Sequence, residues 1–232
     1  ITICERLVLP RMCDAIEDGI EVLLSTTDGQ ETELAVLDFS DAFKHLKVAP
    51  NEQGYLAGKA WNRIFVYLVI LFGVGSGPLV WGRVAAATMR ITQAMLGQFG
   101  RANCYVDDTL LFIKGTKTER REMLMAVIIL CRALDLKLAW RKAEYGRQVR
   151  WIGAQIEVGT HQRILYVTVP AEKLNQLQAD CKKWIHGTGM IHEKELRAFA
   201  GRGSWLGGAF AASPPVLSTD LGRACSAEAR RQ

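Results

Sequence analysis

The sequence lacks the features of a membrane or secreted protein. Its longest apolar run, residues 64–74, has 11 residues, which is too short to span a bilayer and is typical of a buried strand. The first residues show no basic, apolar and small-residue succession of a signal peptide, and the chain does not begin with Met. We therefore expect a piece of a longer intracellular protein, in the cytoplasm or nucleus, without a membrane partner.

Cysteine is present but without the spacing that metal sites or disulfide frameworks require. The six cysteines form no CxxC pair and no regular series: they are residues 4, 13, 104, 131, 181 and 225. This pattern excludes the common zinc modules and favours free thiols in a reducing compartment.

The composition is that of an ordinary globular protein, but its charge is unevenly distributed. Hydrophobic residues make up 49% of the 232 and charged residues 23%, which predicts one good core with a small appendage. Residues 1–41 carry ten acids and two bases, whereas the remaining 191 residues carry 27 bases and 14 acids. The basic part favours a polyanionic partner, although solvated helix faces would give the same balance.

Two adjacent acids are the strongest single signal in the chain. Asp107 and Asp108 lie between the apolar runs 104–106 and 109–113, which predicts two buried strands joined by an acidic turn. Neighbouring carboxylates at the end of an apolar hairpin repel each other and lose hydration, so they need a compensating cation. A solvated turn is the alternative for the hairpin taken alone.

A third acid favours a metal site over a solvated turn. Asp38 follows the apolar run 34–37 in a strand predicted from Glu33 to Phe39. Three carboxylates at the ends of buried strands are the hard oxygen ligands that Mg²⁺ prefers.

These acids lie in strings that resemble a known family. LDFSDAF at residues 37–43 and YVDD at residues 105–108 resemble motifs A and C of reverse transcriptases, the RNA-directed DNA polymerases of retroelements. The resemblance covers about residues 6–206 in the family's order. Its other pieces are the segment before motif A (6–11), motif B (72–78), motif D (138–142) and motif E, the primer grip (150–153).

The resemblance implies an α+β fold, the palm of a right-hand polymerase, with an antiparallel sheet and helices packed on one face. We expect a palm with truncated fingers over residues 1–169, a fingers-like insertion at about 44–72, and a thumb-like helical segment over 170–232. Order is doubtful from about residue 211, where Ser, Pro and Gly dominate.

Periodicity and capping signals predict the individual elements. Helices are predicted over 12–24, from Pro78 through Leu96, after a capping box at Thr116–Glu119, from Leu174 to a stop at Gly187, and around 196–205. Besides the strands around the three acids, strands are predicted over 55–59, 63–71, 149–158 and 164–169.

The family's catalytic chemistry implies roles for the three acids. Asp38, Asp107 and Asp108 would be the catalytic residues of template-directed DNA synthesis and, with the Phe39 carbonyl, would hold two Mg²⁺ ions, with Mn²⁺ as a substitute. The implied partners are an RNA or DNA template with its primer strand and deoxynucleoside triphosphates.

Further residues are assigned by the resemblance alone. Phe43 would exclude the ribose 2′-hydroxyl, with a core phenylalanine as the alternative. Lys142 would protonate the leaving pyrophosphate, with a solvated lysine as the alternative. Gly73 and Pro78 would approach the nucleotide, and the primer terminus would lie on the primer grip, Trp151, Ile152 and Gly153.

Three departures from the family keep a second function open. The basic triphosphate-binding residues of the fingers and any ribonuclease H, protease or integrase segment are missing, and Phe72 stands where motif B often has glutamine. The alternative is a domesticated or decayed palm that binds nucleic acid or a protein without catalysis. A viral RNA-directed RNA polymerase is disfavoured, because those enzymes have a Gly-Asp-Asp hairpin and a smaller or polar sugar gate.

Overall fold

The computed structural model describes residues 7–186 and 192–210. Its helices are α1 (Met12–Leu24), α2 (Gly77–Leu96), α3 (Lys117–Ala133), α4 (Ala171–His186) and α5 (Glu193–Phe210). Its strands are β1 (Glu31–Asp38), β2 (Ala57–Ala60), β3 (Arg63–Val66), β4 (Gly100–Tyr105), β5 (Asp108–Gly115), β6 (Glu144–Gly146), β7 (Gln148–Trp151), β8 (Ala154–Gly159) and β9 (Ile164–Thr168). The described residues divide into two compact units, residues 7–10 with 18–168, and residues 11–17 with 169–186 and 192–210.

The first unit is built on a four-stranded sheet with the order β4-β5-β1-β6. All its pairings are antiparallel, and β1 pairs with β5 along its whole length, from Glu31 opposite Gly115 to Asp38 opposite Asp108. Both strands are buried over most of their length, which matches their apolar sequences. This register brings the ends of two strands from distant parts of the sequence together.

Both faces of this sheet are covered. Helices α2 and α3 pack on one face, around a core to which β1, β5 and the two helices contribute Ala35, Leu37, Leu111, Ile113, Trp81, Ala85, Val127 and Cys131. On the other face Phe112 is fully buried, and a Cβ atom built on Gly19 would lie 2.7 Å from its ring. The α+β fold with an antiparallel sheet is confirmed, and the helices on one face are α2 and α3.

Helix α3 begins as its sequence predicts and is anchored by a buried ion pair. Thr116 and Glu119 form a capping box, in which each side chain bonds the other residue's backbone N–H. One turn later, Arg120 is 4% exposed and donates to Glu33 at 2.7 Å and to the Gly115 carbonyl at 2.6 Å. Arg120 therefore ties the helix to both central strands.

Two strand predictions are wrong. Residues 149–158 form not one strand but two, β7 and β8, because Ile152 and Gly153 adopt positive φ angles of 39° and 90° and turn the chain back on itself. The apolar run 64–74 is not a buried strand, because β3 ends at Val66 and pairs only with β2. Every residue of β2 and β3 is exposed.

The second unit contains helices α4 and α5, both predicted from amphipathic spacing. Trp184 and Phe199 meet edge to face with ring centroids 4.5 Å apart, and Lys183 pairs with Glu195 at 3.0 Å. The predicted stop at Gly187 and the tail from residue 211 lie outside the described residues. Within residues 7–186 and 192–210, no helix is long and apolar enough to cross a membrane.

Candidate active site

Asp38 and Asp108 lie directly opposite each other at the ends of two central strands. Residues opposite each other in an antiparallel pair point to the same face, so register alone brings these two carboxylates together. The main chain holds the end of β1 on both sides: the Phe39 N–H donates to the Asp107 carbonyl at 3.0 Å, and the Ala139 N–H donates to the Asp38 carbonyl at 2.8 Å.

Asp107 reaches the same place from the hairpin turn. Tyr105 pairs with Asp108, which leaves Val106 and Asp107 as a two-residue turn, and Val106 has a left-handed φ of 59°. Successive strand residues point to opposite faces, so the turn is what allows two adjacent acids to serve one site.

The electrostatics of the three acids show that they are crowded. Burial raises the pKa of Asp108 to about 6, and the charges of Asp107 and Asp38 add to this effect, as does a hydrogen bond with Asp38. Burial also raises the pKa of Asp107, and the charge of Asp38 contributes. An arrangement that opposes its own ionisation favours a bound cation.

A lysine supplies a positive charge at this site. Lys142 ends a short 3-10 helix, Trp140–Lys142, and its Nζ lies 2.8 Å from Asp38 Oδ2. The hydrogen bond to Asp38 and the charge of that carboxylate raise the pKa of Lys142, so it stays protonated. The resemblance assigned Lys142 to the nucleotide, and the structure places its ammonium on the Asp38 carboxylate.

Two tryptophans form hydrogen bonds with the backbone of the acidic hairpin. Trp81 of α2 is fully buried and donates from Nε1 to the Val106 carbonyl at 2.7 Å. Trp151 at the end of β7 is 1% exposed and donates from Nε1 to the Asp108 carbonyl at 3.2 Å. Trp81 was not among the predicted site residues, because no local sequence pattern indicates its bond to the Val106 carbonyl.

The chemistry of the three acids suits a divalent metal, but their side chains are not arranged around a metal position. Three carboxylates and a backbone carbonyl are hard oxygen donors of the kind that Mg²⁺ prefers. However, in the part of the chain that the structure describes, no group of three or more His, Cys, Asp or Glu side chains is placed to hold a metal ion. The ammonium of Lys142 engages one of the Asp38 oxygens instead.

Phe43 lies in the core beside the glycine-rich turn of motif B. Its side chain is 9% exposed, and its ring meets Phe72 edge to face at 5.0 Å between centroids. A Cβ built on Gly77 would lie 3.7 Å from Phe43 Cδ1 and 3.2 Å from Ile70, so glycine allows the start of α2 to come close. The role of Phe43 in excluding the ribose 2′-hydroxyl stays a prediction.

The remaining predicted residues lie in turns and at a helix start. Pro78 occupies the first turn of α2, which begins one residue earlier than predicted. Gly73 has a φ of 96° in the preceding loop, with open space where a side chain would be. In the primer grip, the half-buried Ile152 and Gly153 form the turn, and the Trp151 ring is buried.

The sequence profile of one family, reverse transcriptase (RNA-dependent DNA polymerase), matches residues 4–156. This match covers more than half of the chain and includes all three acids. The chain belongs to the reverse transcriptase family. Enzymes of this family use divalent metal ions. None of the curated protein sequences matches this chain.

Solved reverse transcriptases share the fold. The foamy viral protease-reverse transcriptase in complex with an RNA/DNA hybrid is similar with a TM-score of 0.55 and 18% identity, over 78% of this chain and 22% of that one. Its complex with dsDNA is similar with a TM-score of 0.57 and 15% identity, over 88% of this chain and 37% of that one. The chain thus spans well under half the length of these relatives.

Proposed function

We propose that this chain performs template-directed DNA synthesis, as the polymerase part of a retroelement polyprotein. The observation that carries the proposal is the crowding of Asp38, Asp107 and Asp108 at the ends of central strands. Burial, with their mutual repulsion added to it, raises the pKa values of Asp107 and Asp108, an arrangement that favours a bound cation.

In this proposal Asp38 and Asp107 would hold both Mg²⁺ ions, Asp108 would complete the negative charge on the primer side, and the Phe39 carbonyl would help to hold the ion on the nucleotide side. The chemistry supplied by two bound ions is deprotonation of the primer 3′-hydroxyl and stabilisation of charge on the phosphoryl group. Lys142 would release Asp38 and donate its proton to the leaving pyrophosphate. The partners would be a primed template and deoxynucleoside triphosphates.

Other residues would position the substrates. The ring of Phe43 would limit the space beside the sugar, and Gly73 and Pro78 would let the backbone approach the nucleotide. The turn of Ile152 and Gly153 would support the primer terminus, while Trp151 holds Asp108 in place through its hydrogen bond.

A second candidate is a palm that binds nucleic acid without catalysis. It is favoured by the ion pair of Lys142 with Asp38 and by the absence, among the described residues, of three acids placed around one point. The two candidates differ in their response to Mg²⁺.

The test compares Asp107→Asn with the unchanged protein, because this substitution keeps the shape and removes one negative charge. Primer extension should fall by orders of magnitude. Without metal, the melting temperature should rise or stay level, since repulsion is relieved. Mg²⁺ should then stabilise the unchanged protein more than the variant, because the metal binds the folded state. Equal shifts with Mg²⁺ would support the non-catalytic palm, and the melting measurement does not depend on an active enzyme.

A further inference from the structure

We propose that Trp81 is a positioning residue of the candidate active site: its indole N–H fixes the turn that carries Asp107 and so holds this acid beside Asp38. The inference rests on the proposed function for the reaction that the two acids serve. Three observations carry it: a strained residue in the turn, the bonds that hold the turn, and the contact of the Trp81 ring with the segment after Asp38.

The turn that carries Asp107 has a conformation that its sequence disfavours. Val106, the first of the two turn residues, has a left-handed φ of 59°. Glycine is favoured at this position of a two-residue hairpin turn, and a β-branched residue with a positive φ is an outlier. Such strain persists where surrounding contacts hold the backbone in place, and it is concentrated at functional sites.

A short hydrogen bond from Trp81 holds the strained residue. Trp81 Nε1 donates to the Val106 carbonyl at 2.7 Å, whereas the Cys104 thiol, a weak donor, lies 3.5 Å from the same oxygen. A peptide group is planar, so fixing the Val106 carbonyl also fixes the backbone nitrogen and Cα of Asp107. The Asp107 carbonyl in turn accepts from the Phe39 N–H at 3.0 Å. The backbone of Asp107 is thus held on both sides, by Trp81 and by Phe39.

The ring of Trp81 also contacts the segment that follows Asp38. It meets the Phe39 ring edge to face with centroids 5.4 Å apart, and it stacks on the His45 ring at 6.2 Å. Trp81 is fully buried and Phe39 is 2% exposed, so close packing restricts both rings. One side chain of α2 therefore contacts both acid-bearing segments and helps to set the distance between them.

Ordinary core packing does not require the indole nitrogen. A phenylalanine at position 81 would fill most of the same space and keep an aromatic ring beside Phe39, but it has no N–H for the Val106 carbonyl. Trp81→Phe thus removes the positioning bond and retains an aromatic core residue. If Trp81 only filled the core, this variant would lose stability without a specific effect on Asp107.

The first experiment measures amide hydrogen exchange by NMR without metal, so neither Mg²⁺ nor catalysis plays a part. The probe is the Phe39 N–H, which is protected by its bond to the Asp107 carbonyl. Trp81→Phe should speed its exchange about tenfold, the equilibrium factor expected for one lost hydrogen bond. The control is Leu96→Val, which removes buried volume at the opposite end of α2 and should leave Phe39 exchange nearly unchanged.

The second experiment adds Mg²⁺ and tests whether the bond matters to Asp107. The Mg²⁺ concentration for half-maximal primer extension should rise about tenfold in Trp81→Phe, because Asp107 is a proposed ligand of the metal. The rise in melting temperature on adding Mg²⁺ should also shrink toward that of Asp107→Asn. Leu96→Val should lower the melting temperature but keep the Mg²⁺ dependence of the unchanged protein.

A matched variant tests whether Trp81 acts through Val106. Val106→Gly removes the strain, because glycine adopts a positive φ without a steric cost. In this background Trp81→Phe should change the Mg²⁺ dependence by about twofold or less, since both substitutions act on the same turn. An equal effect of Trp81→Phe in both backgrounds would overturn the inference.

Unchanged Phe39 exchange in Trp81→Phe would overturn it as well. Asp107→Asn keeps this result separate from the proposed function. If Mg²⁺ stabilises the unchanged protein more than Asp107→Asn but Trp81→Phe leaves the Mg²⁺ dependence unchanged, the proposed function stands and the inference falls. If Mg²⁺ stabilises both equally, the proposed function fails, and faster Phe39 exchange in Trp81→Phe would still support a turn fixed by Trp81.

Discussion

Lys142 and Asp38 are 104 residues apart in sequence and form an ion pair with 2.8 Å between Nζ and Oδ2. The lysine side chain is 67% exposed, whereas that of the aspartate is 8% exposed. The pair thus covers a nearly buried carboxylate with an ammonium that is free to leave. In the proposed function, the lysine and Mg²⁺ compete for the same oxygen, and metal binding frees Lys142 for the leaving group.

Lys142→Gln should therefore separate the ion pair of Lys142 with Asp38 from the binding of Mg²⁺ to Asp38. Without metal the variant should be less stable by about 1 kcal/mol, because Asp38 loses its partner. Mg²⁺ should raise its melting temperature more than that of the unchanged protein, because the competing ammonium is gone. Lys137→Gln, an exposed lysine nearby, is the control and should change neither value. An equal response to Mg²⁺ in Lys142→Gln would contradict competition for Asp38.

Local sequence signals were sufficient to predict the central hairpin and its acids. The apolar run 109–113, the two acids before it and the strand ending at Asp38 each carry their own signal of burial and turn. Their antiparallel pairing follows once the family order is recognised. The capping box at Thr116 was equally predictable, because its two residues lie in one turn.

Features that depend on tertiary contacts could not be predicted in this way. The bond from Trp81 to the Val106 carbonyl joins a helix to a turn 25 residues away, and no local pattern indicates it. The run 64–74 has the composition of a buried strand, but burial depends on whether a neighbouring layer covers it. The turn at Ile152 was missed because isoleucine rarely adopts a positive φ.

Phe43→Val tests the sugar gate. The smaller side chain should relax discrimination against ribonucleotides more than it lowers the use of deoxynucleotides, as measured by primer extension with each nucleotide. The residue is buried against Phe72, so the substitution should also cost about 1–3 kcal/mol of stability. Phe99→Val, a half-buried phenylalanine away from motifs A to C, controls for this loss. Equal reduction of both nucleotide activities would mean that Phe43 serves only the core.

The pKa of Asp108 predicts an unusual dependence of stability on pH. Its folded-state pKa is raised from 3.8 to about 6, so the folded protein keeps a proton that the unfolded chain has lost. Without metal, this group's contribution to stability should fall as pH rises from about 4 to 6. Asp108→Asn should reduce that decline in melting temperature, measured from pH 4 to 8 with chelator, and the part that remains should come from Asp107, whose pKa is also raised. Asp28→Asn, which changes an exposed acid, should show the same decline in melting temperature as the unchanged protein.

Arg120 is expected to be the most sensitive ionic residue of the fold. Arg120→Met would leave Glu33 and Glu31 without the buried guanidinium that pairs with them, at a cost of about 3–5 kcal/mol. Arg147→Met removes a pairing with the same Glu31, but that arginine side chain is 55% exposed, so its loss should cost at most about 1 kcal/mol. Urea denaturation of both variants measures the difference.

The same network should respond to acid in a defined direction. Burial raises the pKa of Glu33, but hydrogen bonds from Tyr145 and Arg120 and the charges of Arg120 and Arg147 outweigh it, so the net shift is downward from 4.5. The stability that Glu33 contributes is therefore present above pH 4.5 and is lost as pH falls below it. In Arg120→Met this acid-side loss should become smaller, because the main cationic partner is gone. If Arg120→Met loses as much stability below pH 4.5 as the unchanged protein, then Tyr145 and Arg147 alone are sufficient to lower the pKa of Glu33.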